Sequence, residues 1–97
     1  MRLSRLLGEV EARAVRGDPD RAEIVAVGHD STSVVPGTLF CCVPGSRADG
    51  HDFAAAAVTA GAVALVVERF VDVAVPQVQV DDVRTRMAQL AATLYGD

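Results

Sequence analysis

Apolar positions along the chain change spacing in a way that separates helices from strands. Leu3, Leu6, Leu7 and Val10 recur at i, i+3, i+4 and i+7, one face of a helix. Gly17-Asp18-Pro19-Asp20 is a turn cluster. The β-branched run 24–27 predicts a strand closed by Gly28, followed by a polar loop over 29–33. Residues 39–43 are apolar without alternation, as in a strand buried on both faces, and Phe40 is its largest core residue. A helix is predicted over 52–60, with Asp52 as its N-cap and Gly61 just past its end. A second doubly apolar strand follows at 62–67. Val78 and Val80 alternate with Gln77 and Gln79, the pattern of a half-exposed strand. Asp81 and Asp82 suit a helix N-terminus, and Val83, Met87, Leu90 and Leu94 line one face of a helix running to about Tyr95.

The order α-β-β-α-β-β-α predicts a small three-layer α/β sandwich with a mixed, mainly parallel sheet flanked by helices. The strand–helix–strand segment over 39–67 reads as a right-handed crossover. Its loop at 44–50 and the loop at 29–33 both follow strands, so both fall at the carboxyl edge of the sheet, where such folds bind ligands.

With 97 residues, a single domain is expected, and 51% hydrophobic residues suffice for a core. Aromatics make up only 4%, which leaves Val, Ala and Leu to build it. The net charge of -4 argues against a nucleic-acid partner, which requires a basic face. Cys41 and Cys42 are adjacent in the apolar run and point to opposite faces, so they read as buried thiols in a reducing compartment rather than a disulfide. No apolar run is long enough for a membrane span, and a cytoplasmic domain is expected.

The loop at 44–50 offers Ser46, Arg47 and several backbone N–H groups, which suits a phosphate-bearing ligand. Each of these residues also has a plainer role open to it. Ser31 can cap a turn, Arg47 can be a solvated loop residue, and Asp49-Gly50-His51-Asp52 can be structural, with Gly50 in a turn and Asp52 as the cap. Ser46, His51 and Asp52 lack the surroundings of a catalytic triad. His29, His51 and the paired cysteines have no zinc-site spacing, so no metal is expected.

One ordered series carries a resemblance. It comprises Asp30-Ser31, Pro36-Gly37, Leu39-Phe40, Pro44-Gly45, Asp49-Gly50-His51-Asp52-Phe53, Ala57, Gly61-Ala62 and Val66-Val67-Glu68. It resembles the N-terminal domain of the Mur ligases. Val80-Asp81-Asp82-Val83-Arg84, Leu90-Ala91 and Leu94-Tyr95-Gly96 are most similar to the MurE type, the UDP-N-acetylmuramoyl-tripeptide synthetases of peptidoglycan synthesis. The resemblance spans Leu3 to Gly96. It implies that residues 1–97 form the domain that holds the UDP part of a UDP-N-acetylmuramoyl-peptide. In that family a central domain binds ATP and magnesium, and a C-terminal domain binds the incoming amino acid. Neither the G-x-x-x-x-G-K-[ST] loop nor any lysine occurs in this sequence, so no cofactor and no ligase activity are expected of this chain alone.

The resemblance places UDP contacts at His29 and Ser31 in the first loop and at Ser46, Arg47 and Ala48 in the second. Uracil would meet backbone groups and Ala48; the diphosphate would meet Ser31, Ser46 and Arg47. Thr32 stands where the family usually has Arg, which removes a cation. The expected partners are the nucleotide-sugar peptide and the central ligase domain, with no nucleic acid and no membrane. A stand-alone nucleotide-sugar binder or an interaction module of the same fold are the alternatives.

Overall fold

A computed structural model describes residues 1–96. Eight regular elements follow one another: α1 (Leu3–Leu6), β1 (Ala14–Arg16), β2 (Ala26–Gly28), β3 (Thr38–Cys41), α2 (Ala54–Ala60), β4 (Ala64–Val67), β5 (Gln77–Gln79) and α3 (Val83–Tyr95). One five-stranded sheet has the order β1-β5-β4-β3-β2. Strands β2, β3, β4 and β5 run parallel, and β1 joins β5 antiparallel. The sheet is therefore mixed and mainly parallel, as the helix–strand alternation predicts.

Two cores lie on its two faces. Leu39, Cys41, Ala64, Val66 and Val78 point to one side and pack with Leu3 and Leu6 of α1 and Val83 and Leu90 of α3. Phe40, Cys42, Leu65 and Val67 point to the other and pack with Ala54 and Ala57 of α2. Every residue of β3 and β4 is buried. Alternating side chains of an interior strand serve both layers, so an unbroken apolar run is what such a strand requires. Small residues at Ala54 and Ala57 suit the contact face of α2. Gly61 ends that helix at φ +123°, where a Cβ would lie 2.8 Å from Pro36 Cα. Both cysteines are free and buried, one in each core.

Several expectations shift. α1 closes after one turn and tightens into a 3₁₀ turn at Leu7–Glu9, where Gly8 disfavours further helix. The predicted strand at 24–27 pairs two residues later, as β2. Strand β1 was not anticipated: its three residues are all exposed and carry no apolar alternation. The helix predicted from Asp52 begins as a 3₁₀ turn at Gly50–Phe53, capped by Asp49 and not by Asp52. Asp49 Oδ1 accepts the His51 N–H at 3.0 Å, which starts the turn earlier.

β5 is not half-exposed. Gln77 is buried because the crossover at 68–76 lies over it. The Gln77 amide accepts the Val71 N–H at 2.9 Å and donates to the Val71 carbonyl at 2.7 Å. Gln79 donates to the Glu68 carbonyl at 3.1 Å. The polar positions of this strand thus replace the hydrogen bonds the crossover backbone would otherwise make to water. Phe70, Val71, Val73 and Val75 of the same crossover cover the second core beside α2.

Strand β2 is an edge. The phenol oxygen of Tyr95, at the end of α3, accepts the Val27 N–H at 2.7 Å and lies 3.4 Å from the Val27 carbonyl. Among the described residues no helix is long and apolar enough to cross a membrane.

Candidate functional site

Because β2 and β3 are parallel neighbours, the segments that leave their carboxyl ends emerge side by side. Each makes a 3₁₀ turn opened by an aspartate. After β2, Asp30 Oδ1 accepts the Thr32 N–H at 2.9 Å and the Thr32 hydroxyl at 2.7 Å. The Thr32 hydroxyl, followed by the Thr32 N–H, holds the Asp30 carboxyl below the usual range. Asp30, not Ser31, is the cap of this turn. Thr32, in the position of the missing cation, is engaged in closing it.

After β3 the chain makes a closed loop. Pro44 and Asp49 form an antiparallel bridge, and the Gly50 N–H reaches the Val43 carbonyl at 3.0 Å. Gly50 is needed there, since a Cβ would meet the Val43 nitrogen at 2.6 Å. Ser46 and Arg47 sit at the exposed tip of this loop, with Gly45 and Ala48 on its stem.

The stem is fixed from below by a polar network. Asp49 Oδ1 lies 2.6 Å from Nδ1 of the buried His51, and Asp49 Oδ2 accepts Arg69 Nη1 at 2.9 Å. These contacts, led by the His51 N–H and then the His51 ring, keep the Asp49 carboxyl far below its ordinary range. His51 Nε2 accepts the Glu68 N–H at 3.0 Å, which leaves Nδ1 as the nitrogen that donates to Asp49. The carboxylate of Glu68 in turn accepts the Val83 N–H at the start of α3, at 3.0 Å. His51 and Asp49 therefore have the structural role, and Asp52 is exposed outside it.

Above the network lies a hollow of about 290 Å³ lined by His29, Val43, Gly45, Ala48, Phe53 and Arg84, with Gly50 and Met87 completing it. A neighbouring hollow of about 360 Å³ is lined by His29, Asp30, Ser31, Thr32 and Phe53. His29 and Phe53 form the wall the two share. Of the five residues expected to meet UDP, His29 and Ala48 come together in the first hollow and Ser31 lines the second. Ser46 and Arg47 line neither. The structure adds Phe53, 43% exposed although aromatic, and Arg84 from the first turn of α3. Both belong to the series quoted above. The available signal for Arg84 was its place: a cation in the first turn of a helix opposes the dipole. A further hollow of about 430 Å³ around Arg16, Phe70 and Asp72 lies by the amino end of β5, away from these loops.

The Mur ligase family, catalytic domain, matches residues 23–95 of the chain. The UDP-N-acetylmuramoyl-L-alanyl-D-glutamate–2,6-diaminopimelate ligase of Geobacillus thermodenitrificans is 53% identical over 94 residues, covering 97% of this chain and 18% of that protein. The ligase of the same name from Streptomyces avermitilis is 40% identical over 96 residues, covering 93% of this chain and 19% of that protein. Crystal structure II of MurF from Acinetobacter baumannii superposes with a TM-score of 0.80 at 29% identity, over 92% of this chain and 20% of that one. The chain spans about a fifth of the length of the relatives it matches.

Proposed function

Because the chain belongs to the Mur ligase family, we propose that this domain holds the uridine diphosphate part of a UDP-N-acetylmuramoyl-peptide for a MurE-type ligase. The observation that carries the reading is the meeting of two strand-end loops on one hollow, with His29 from the first and Gly45 and Ala48 from the second. The curated relatives act, by their names, on UDP-N-acetylmuramoyl-L-alanyl-D-glutamate. Backbone groups around Ala48 and the Ser31 hydroxyl, which has no hydrogen-bond partner among the described residues, supply donors and acceptors for a base and a phosphate. Ser46 and Arg47 stand on the tip between two lining residues of the stem and line neither hollow. Amide-bond formation with ATP and magnesium belongs to the whole ligase, as this sequence has no phosphate-loop lysine. A cytoplasmic location follows from that same role.

An NMR titration of the labelled chain with UDP tests this. Shifts concentrated on residues 29–32 and 43–53 and on the first turn of α3 that borders the hollow, with a dissociation constant of about millimolar to high micromolar, are expected. If saturating UDP moves no resonance in either loop, the site is wrong and the fold serves as an interaction module.

A further inference from the structure

We infer that Arg84 is the residue that receives the anionic part of the ligand, an inference that rests on the nucleoside-diphosphate reading above. The chain is acidic, with a net charge of -4, so its general field does not attract an anion and a particular cation must do so. Three arginines stand near the carboxyl edge. Arg69 is committed to Asp49 at 2.9 Å. Arg47 is at the loop tip and lines neither hollow. Arg84 lines the hollow that holds His29 and Ala48.

The bonding of Arg84 sets it apart from its neighbour. Arg86 is gripped by Asp81 through two bonds of 3.0 and 3.1 Å. Arg84 has no carboxylate within 4.0 Å among the described residues, and its one hydrogen bond is a 3.3 Å contact to the Pro44 carbonyl. A guanidinium has five N–H donors in a planar fork suited to two phosphate oxygens, and only one is engaged here, on a neutral acceptor at long range. The helix end itself is not the anion site. Carboxylates already occupy two of its N–H groups, with Glu68 on Val83 at 3.0 Å and Asp82 on Thr85 at 3.3 Å. Those carboxylates offset the unfavourable position of a cation in this turn and leave the guanidinium as the group that faces the hollow.

The test measures UDP affinity of the 97-residue chain at low and at physiological salt for wild type, Arg84→Gln, Arg84→Lys and Arg47→Gln. Arg84→Gln is expected to bind about tenfold more weakly at low salt and to lose most of the wild-type salt dependence. Arg84→Lys keeps the charge without the fork and falls between. Arg47→Gln stays within about twofold and keeps the salt dependence. Unchanged affinity in Arg84→Gln overturns the inference. So does a loss that keeps the wild-type salt dependence, because the side chain would then only be holding the loop through Pro44. A larger loss in Arg47→Gln than in Arg84→Gln moves the role to the loop tip and also overturns it. These outcomes leave the nucleotide reading standing, whereas a wild-type chain that binds no UDP overturns both.

Discussion

Nε2 of His51 accepts the backbone N–H of Glu68 at 3.0 Å, which ties the turn after β3 to the end of β4. The same ring holds Asp49 through Nδ1, and Asp49 fixes the base of the loop that carries Ala48. A histidine with both nitrogens engaged on opposite sides is a strut. Its removal leaves a void, an unpaired Glu68 N–H and a carboxylate short of a partner. His51→Ala is expected to cost about 2–4 kcal/mol. His51→Gln, whose amide oxygen reaches toward the Glu68 N–H, recovers part of that. Urea unfolding of the three proteins checks this, and an unshifted midpoint in His51→Ala would refute the strut.

Acid should act through Asp49. Its carboxyl is held far below the ordinary value by the His51 N–H, the His51 ring and Arg69. A depressed folded-state pKa means that the unfolded chain binds the proton first as pH falls. The stabilisation is complete above the ordinary carboxylate range near about pH 4 and drains away below it. Asp49→Asn should therefore melt well below wild type at pH 7, and the gap should narrow as the pH falls from about 5 toward 2. Melting curves across that range decide the matter; a gap constant with pH would separate the stability of this turn from the charge on Asp49.

Phe40 is fully buried in the second core, against the small residues of α2. Phe40→Ala should cost about 3–5 kcal/mol, a large part of the roughly 5–15 kcal/mol that holds a small domain together. Circular dichroism melting would show a variant largely unfolded at 37 °C. A shift of only a few degrees would mean that the core closes over the lost ring.

Gln77 offers a sharper test, because its shape can be kept while its chemistry is removed. Gln77→Leu leaves the N–H of Val71 without its side-chain partner beneath the crossover, while the Val71 carbonyl keeps the Val73 N–H at 3.1 Å. The orphaned N–H costs about 1–3 kcal/mol, and a loss of that size is expected despite the gain in apolar character. Equal stability of the two proteins in chemical denaturation would show that water reaches Val71.

The pattern of apolar residues revealed the layers and hid the polar fastenings. Residues 39–43 and 62–67 announced interior strands because each face of such a strand meets its own core. Val83, Met87, Leu90 and Leu94 announced α3 because only one of its faces is covered. Gln77 misled, since alternation of Gln and Val looks the same whether the glutamines meet water or a crossover backbone. Strand β1 left no mark because three exposed residues need no apolar pattern to pair with an edge. At the site, position along the chain located both loops. It could not show that Ser46 and Arg47 stand at a tip, nor that a helix beginning more than thirty residues later would bring Arg84 to the same hollow. Those facts depend on how β3, β4 and α3 lie together.

Tyr95 gives the end of α3 a duty beyond its own helix. One phenol oxygen meets both main-chain groups of Val27 on the open side of β2. Fraying of the last helical turn therefore uncovers both main-chain groups of Val27 in the same event, on an edge strand of the kind a foreign strand pairs with. Helix melting and exposure of the β2 edge are joined at this residue, so that rim of the sheet is only as well guarded as the final turn of α3 is firm.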